Sequence, residues 1–152
     1  MDLGNAIVAG AVATAVMTIL MNLGKGMGMP MDMPRMLGAM FVEPESGAAA
    51  VLGLIVHVMM GIAFAIVYAL LFGVLGIAPS WQSGALFGAV HGVLAGLAMA
   101  MMPAMHPRMG DGLALPAPGP FGRNLGAMVP VGIIVLHVVF GAVVSLRYLG
   151  GV

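Results

Sequence analysis

Apolar residues run through this chain with so little polar interruption that the length of each run says more than its periodicity. Four runs reach the roughly 20 residues a helix needs to cross the hydrocarbon core of a bilayer. They are about Gly4–Leu23, Ala48–Gly73, Gln82–Met102 and Met128–Tyr148. Between Gly47 and Arg108 there is no Lys, Arg, Asp or Glu. A water-soluble domain would need charges there to cover its surface, so lipid must solvate much of the chain. The fold predicted is all-α, an integral membrane four-helix bundle. Asp2 is the only charge ahead of the first run, which therefore lacks the basic leader of a signal peptide and reads as a span.

The runs are not independent. GAVATAVMTILMNL (Gly10–Leu23) aligns without gaps on GALFGAVHGVLAGL (Gly84–Leu97), and M-P-x-x-x-P-R-M occurs at Met29–Met36 and at Met102–Met109. LGAM follows at Leu37–Met40 and Leu125–Met128, and His, Gly and Tyr recur at equal spacing as His57, Gly61, Tyr68 and His137, Gly141, Tyr148. The order is the same in both halves, which predicts one membrane domain over 1–152 made of two parallel helix–loop–helix repeats, about 4–76 and about 80–152. A Gly- and Pro-rich insertion near Gly110–Asn124 reads as an irregular loop with turns. Such repeats are expected to be related by an approximate two-fold axis along the membrane normal.

Small residues mark the expected contact faces. Gly84, Gly88, Gly92 and Gly96 form an every-fourth-residue stripe, aligned with Gly10, Thr14, Thr18 and Asn22. Such stripes let helix backbones approach closely in lipid. Gly53, His57, Gly61, Phe64 and Tyr68 share one face by helical spacing, as do His137, Gly141, Val144 and Tyr148. All four faces are expected to point inward. The first loop, near Asp32–Phe41, is expected to form a short amphipathic turn with Arg35 toward headgroups and Met36, Leu37 and Met40 toward lipid.

Charge adds orientation. Lys25 and Arg35 fall in the first loop, Arg108 and Arg123 in the third, and only Arg147 near the other end. The positive-inside rule places loops 24–47 and 104–127 in the cytoplasm and both termini outside. Formal net charge is zero, so nothing points to nucleic acid as a partner. The partners expected are the lipid bilayer and other membrane subunits or further copies of this chain.

Candidate chemistry is confined to a few side chains. There is no cysteine, which excludes disulfides, thiolate metal sites and cysteine nucleophiles. Ser80, Ser83 and Ser145 have no His–carboxylate partner in view, and Glu43 and Glu45 flank a loop proline, so no enzyme is expected. Three histidines, His57, His91 and His137, fall inside spans, where ionisable residues are rare and usually functional. At 1.5 Å per residue they lie at comparable depth, roughly 12–15 Å from the loop surface. The repeat puts Met17 opposite His91.

Three readings follow. In the first, His57 and His137 are the axial ligands of a b-type haem, with Gly61 and Gly141 giving the porphyrin a flat surface, in an accessory subunit of a membrane complex. A (bacterio)chlorophyll held by one His is a variant. In the second, His57, His91, His137 and Met17 hold copper, whose soft Cu(I) form accepts imidazole and thioether. Met27, Met29, Met31 and Met33, at alternate positions, resemble the methionine-rich segments of copper-handling proteins. In the third there is no cofactor, and each His bonds to a carbonyl one turn away or to Tyr68, Tyr148, Thr14 or Thr18, locking helices together. Proton relay by histidine is a further option, but no span carries a carboxylate.

The phrases VAGAVATAVMT, MDMPRMLGAMF, GAVHGVLAGL, MMPAMHPRM and PGPFGRNLG resemble a family of small four-span bacterial inner-membrane proteins with no assigned activity. The resemblance covers most of the chain. It implies a bacterial inner-membrane location and carries no site residue across.

Overall fold

A computed structural model describes residues 2–111 and 113–150. Four helices in it are long and apolar enough to cross a membrane: Leu3–Lys25 (α1), Gly47–Leu75 (α3), Trp81–Met105 and Val129–Gly150 (α6). The third comprises Trp81–Ala98 (α4), a tighter turn at Met99–Met101, and a last turn at Met102–Met105 (α5). A six-residue helix, Met33–Gly38 (α2), lies between the first two spans. The expected spans and the observed ones differ by a few residues at their ends, where helices fray. No strand occurs among the described residues, so the fold is an all-α four-helix bundle.

Side chains start the helices. Asp2 accepts from Asn5 N–H, Ser46 from Ala49 N–H, and Ser80 and Ser83 form a reciprocal capping box. Each satisfies backbone donors that the first turn leaves unpaired. Gly76 ends α3 in the left-handed conformation (φ 64°).

Glycines bring the hairpin partners together. A Cβ at Gly10 would fall on the backbone of Gly61 and Ile62 and on Ala65, and one at Gly84 on Gly141 and Ser145. Those are aligned positions of the two halves. Farther along the stripe, Gly88 lies on the His137 carbonyl, Gly92 on His137 and Ile134, and Gly96 under the Phe121 ring. Phe121 takes a positive φ of 54°, a conformation costing a non-glycine residue about 1–2 kcal/mol, and its ring fills the hollow left by Gly96.

The expected two-fold symmetry breaks at the seams between hairpins. α1 buries Ala6, Ala9 and Ala13, short enough for its backbone to close on both α3 and α6. The equivalent approach of α3 to α4 does not occur. Phe72 stacks on Phe87 at 4.8 Å, and Phe64 on His91 at 4.0 Å, so these backbones are held apart by rings. Phe64, expected on the inward face, therefore lies at the edge of this seam and is partly exposed.

Loops one and three meet at one end and close it. The His106 ring accepts the Arg108 N–H at Nδ1 (3.2 Å) and donates from Nε2 to the Met36 carbonyl (2.8 Å). Arg108 also bonds Glu43 and the Ala39 carbonyl. The amphipathic turn is present as α2, but it faces the other way from the expectation. Met36 and Leu37 are buried against protein, because Gly38 and Gly53 let α2 dock directly on α3. At the opposite end the Asp2 N–H donates to the Tyr148 hydroxyl.

Two substitutions at the α4–α6 contact should behave oppositely. Gly88→Leu forces a side chain into the His137 carbonyl and should destabilise the detergent-solubilised protein by about 1–3 kcal/mol or more. Ser145→Ala should be neutral or stabilising, because the buried Ser145 Oγ has no hydrogen-bond partner among the described residues and the first half carries Ala65 there. Thermal unfolding of both variants against the parent checks this.

Asp32 caps α2 and pairs with Lys25 at 2.6 Å. Burial works to raise its carboxyl, but the Lys25 ammonium and the backbone and charge of Arg35 outweigh it and hold it below the usual carboxylate range. A lowered carboxyl contributes stability that is present above its unfolded value, about 3.9, and lost as pH falls through its folded one. Protease access to residues 26–46 should therefore rise below about pH 4, and Asp32→Asn should remove that step.

Candidate functional site

The loop cap and the propped α3–α4 seam leave a space inside the bundle. A cavity of about 390 Å³ is lined by all four long helices and by the cap, within the 300–1,000 Å³ usual for small-ligand sites. Met31, Met33 and Leu37 roof it at the loop end, and Met60, Phe64, Leu94 and Ala98, all exposed, frame a side opening between α3 and α4. Thioethers and imidazoles are concentrated here. Ten of the nineteen lining residues are Met or His: Met17, Met21, Met31, Met33, Met60, Met99 and Met102, with His57, His91 and His137.

All three span histidines thus share one space, and each is held by the same ring atom. His57 Nδ1 meets Thr18 Oγ1 at 3.3 Å, and His91 Nδ1 meets the Tyr68 hydroxyl at 3.3 Å. His137 Nδ1 lies 2.7 Å from the Ile133 carbonyl, which can only accept, so Nδ1 carries the proton and Nε2 of the neutral ring is a bare lone pair. Among the described residues, no Nε2 of the three has a hydrogen-bond partner. An imidazole anchored through one nitrogen and free at the other is the arrangement that orients a metal ligand.

His91 and His137 are the pair in contact, with ring centres 4.6 Å apart and nearly perpendicular. Two imidazoles that share one ion through bonds of about 2.0 Å have ring centres roughly 4.5–5 Å apart when the bonds meet near a right angle. Phe64, Tyr68 and Phe140 surround His91 on its other sides. Among the described residues no three of His, Asp and Glu stand close enough to share an ion, and thioethers are the other soft donors that line the cavity. Met17 lines the same cavity and is 8% exposed.

Of the residues expected to hold a porphyrin, His57, His137 and Gly61 line the cavity. Gly61 lies against Thr14 of α1, and Gly141 against the Gly84 carbonyl of α4, both inside helix–helix contacts. Gly141 does not line the cavity. No arginine lines the space to receive propionates.

Beyond Met17 and the loop methionines Met31 and Met33, sequence reasoning missed the cavity thioethers Met21, Met60, Met99 and Met102. Met17 and Met21 lie one turn apart on α1, and Met99 and Met102 continue the face that carries Gly92 and Gly96. Those spacings were a usable signal. The inward roof of α2 had none, since facing lipid and facing protein require the same apolar residues. No protein-family model, curated protein or solved structure matches this chain.

Proposed function

We propose that this chain is a bacterial inner-membrane binding protein, without catalytic apparatus of its own, whose bundle cavity takes a soft monovalent metal ion, Cu(I) by chemistry. The observation that carries the reading is the gathering of three imidazoles, each with Nε2 unpartnered, and seven thioethers around one cavity. Soft thioether and imidazole donors suit Cu(I). No Asp or Glu lines the cavity, which argues against hard divalent cations that require oxygen ligands. His91 and His137 would be the nitrogen ligands, Met17 the nearest thioether candidate, and Tyr68 the group that orients His91. A haem held by His57 and His137 is less well supported, because Gly141 does not line the cavity and no arginine lines it to receive propionates.

One specific observation favours the rival reading of a cofactor-free structural subunit. The Nδ1 bonds of His57 and His91 tie α1 to α3 and α3 to α4, which is useful without any ligand. Metal analysis separates the two. Protein purified anaerobically and loaded with Cu(I) should retain about one ion per chain, with no Soret band. His91→Ala and His137→Ala should each weaken binding by more than about 100-fold, and Tyr68→Phe, which removes only an orienting bond, by about tenfold. Stoichiometric metal-free protein that unfolds at lower temperature in the histidine variants would instead establish the structural subunit, and a Soret band lost in His57→Ala would establish haem.

The orientation proposed has loops 24–47 and 104–127 in the cytoplasm and the termini outside. It is supported by Lys25, Arg35, Arg108 and Arg123 lying at the same end of the bundle. Because the chain has no cysteine, single introduced cysteines report sidedness cleanly. Ala78→Cys should react with an impermeant maleimide on intact spheroplasts and Glu45→Cys only after permeabilisation; the reverse pattern inverts the topology.

A further inference from the structure

An ion bound at the histidine pair must get past the cap. The cap is tied across itself: His106 donates to the Met36 carbonyl, and Arg108 donates to Glu43 and to the Ala39 carbonyl. The side opening leads to hydrocarbon, where an unligated charge is expensive. What joins the loop surface to the cavity is the segment between α1 and α2.

Its methionines descend in burial. Met27 is 79% exposed, Met29 is half-buried, and Met31 is 5% exposed and lines the cavity. Met29 occupies a prepared seat. Its thioether end lies where a Cβ would stand at Gly24 of α1 and at Gly132 of α6, so two spans lack a side chain at the place where one sulfur is held between them. Gly28, at a positive φ of 84°, lets the chain turn between Met27 and Met29. Gly126 packs on Pro30 and on the Gly28 carbonyl, holding this turn against the third loop.

We propose that Met27, Met29 and Met31 form a thioether relay that passes a soft monovalent ion from the loop face to the histidine pair. The inference rests on the soft-metal reading of the cavity. Each step is a ligand exchange: the incoming sulfur forms a bond to the ion as the outgoing sulfur releases it. Both sulfurs are neutral, no electron moves and no proton is displaced, so the charge carried is that of the ion throughout. Thioethers suit this task because they bind soft ions without the anionic grip that would trap them.

Silver(I), soft and without redox chemistry here, is the probe. Loading of the full chain in detergent is followed by rapid mixing, and bound silver by elemental analysis after gel filtration. Met29→Leu, and Met27→Leu with Met29→Leu, should slow loading by about tenfold or more while leaving the silver bound at equilibrium unchanged. Gly132→Ala, which keeps the sulfur but displaces it from its seat, should slow loading in the same direction. Unchanged rates in all three variants, with silver still bound, would overturn the relay and leave the site standing. Slowing by Ala98→Trp at the side opening, but not by the methionine variants, would also overturn it, by showing ingress between α3 and α4. Absence of bound silver in the parent protein overturns relay and site together.

Discussion

Close approach of backbones at glycine is the constraint on which this bundle depends. In lipid there is little hydrophobic force between helices, so association rests on packing and interhelical hydrogen bonds. Gly10 against Gly61 and Gly84 against Gly141 bring each hairpin to contact distance. Gly88 and Gly92 then lay α4 along α6 at His137. These contacts hold His137 with its backbone under one helix and its ring toward the cavity. The cavity follows from the same constraint. Two hairpins closed by glycine and joined through the alanines of α1 leave the bulky rings of α3 and α4 to meet at the remaining seam, where they cannot close.

Much of the architecture was legible in the chain, because each feature depended on local information. Run length gave the spans, four-residue spacing gave the glycine faces, and the Gly- and Pro-rich insertion read correctly as turns. What was not legible depended on volumes meeting across helices. The alignment treats the α1–α6 and α3–α4 seams as equivalent, yet alanines line one and Phe64, Tyr68, Phe72, Phe87 and His91 the other. Symmetry in spacing does not impose symmetry in side-chain size.

The histidine pairing shows the same limit. The repeat matched His57 with His137 and gave no sign of His91 against His137, because ring contact is decided by rotation of each helix about its axis. His91 lies between Gly88 and Gly92 in sequence, within the stripe that packs on His137, and this neighbourhood was the signal for the pair observed. The orientation of α2 had no such signal. Its burial depends on Gly38 lying against Ala49 and Gly53 against Pro34, a coincidence of two distant glycines that hydropathy does not register.

The poverty of charge in the cavity is itself a source of selectivity on the soft-metal reading. No carboxylate lines it and no arginine approaches it, so an ion inside is compensated only by neutral donors. The cost of moving an ion out of water rises with the square of its charge, and for a single charge in a dry interior it is already several kcal/mol after relaxation. A divalent ion would need anionic ligands to offset a penalty about four times larger, and none is present. A monovalent ion with strong covalent affinity for sulfur and imidazole meets the smaller penalty with the donors available. On that reading the absence of acidic residues from the spans, which first identified this chain as lipid-solvated, would also select the ions its interior accepts.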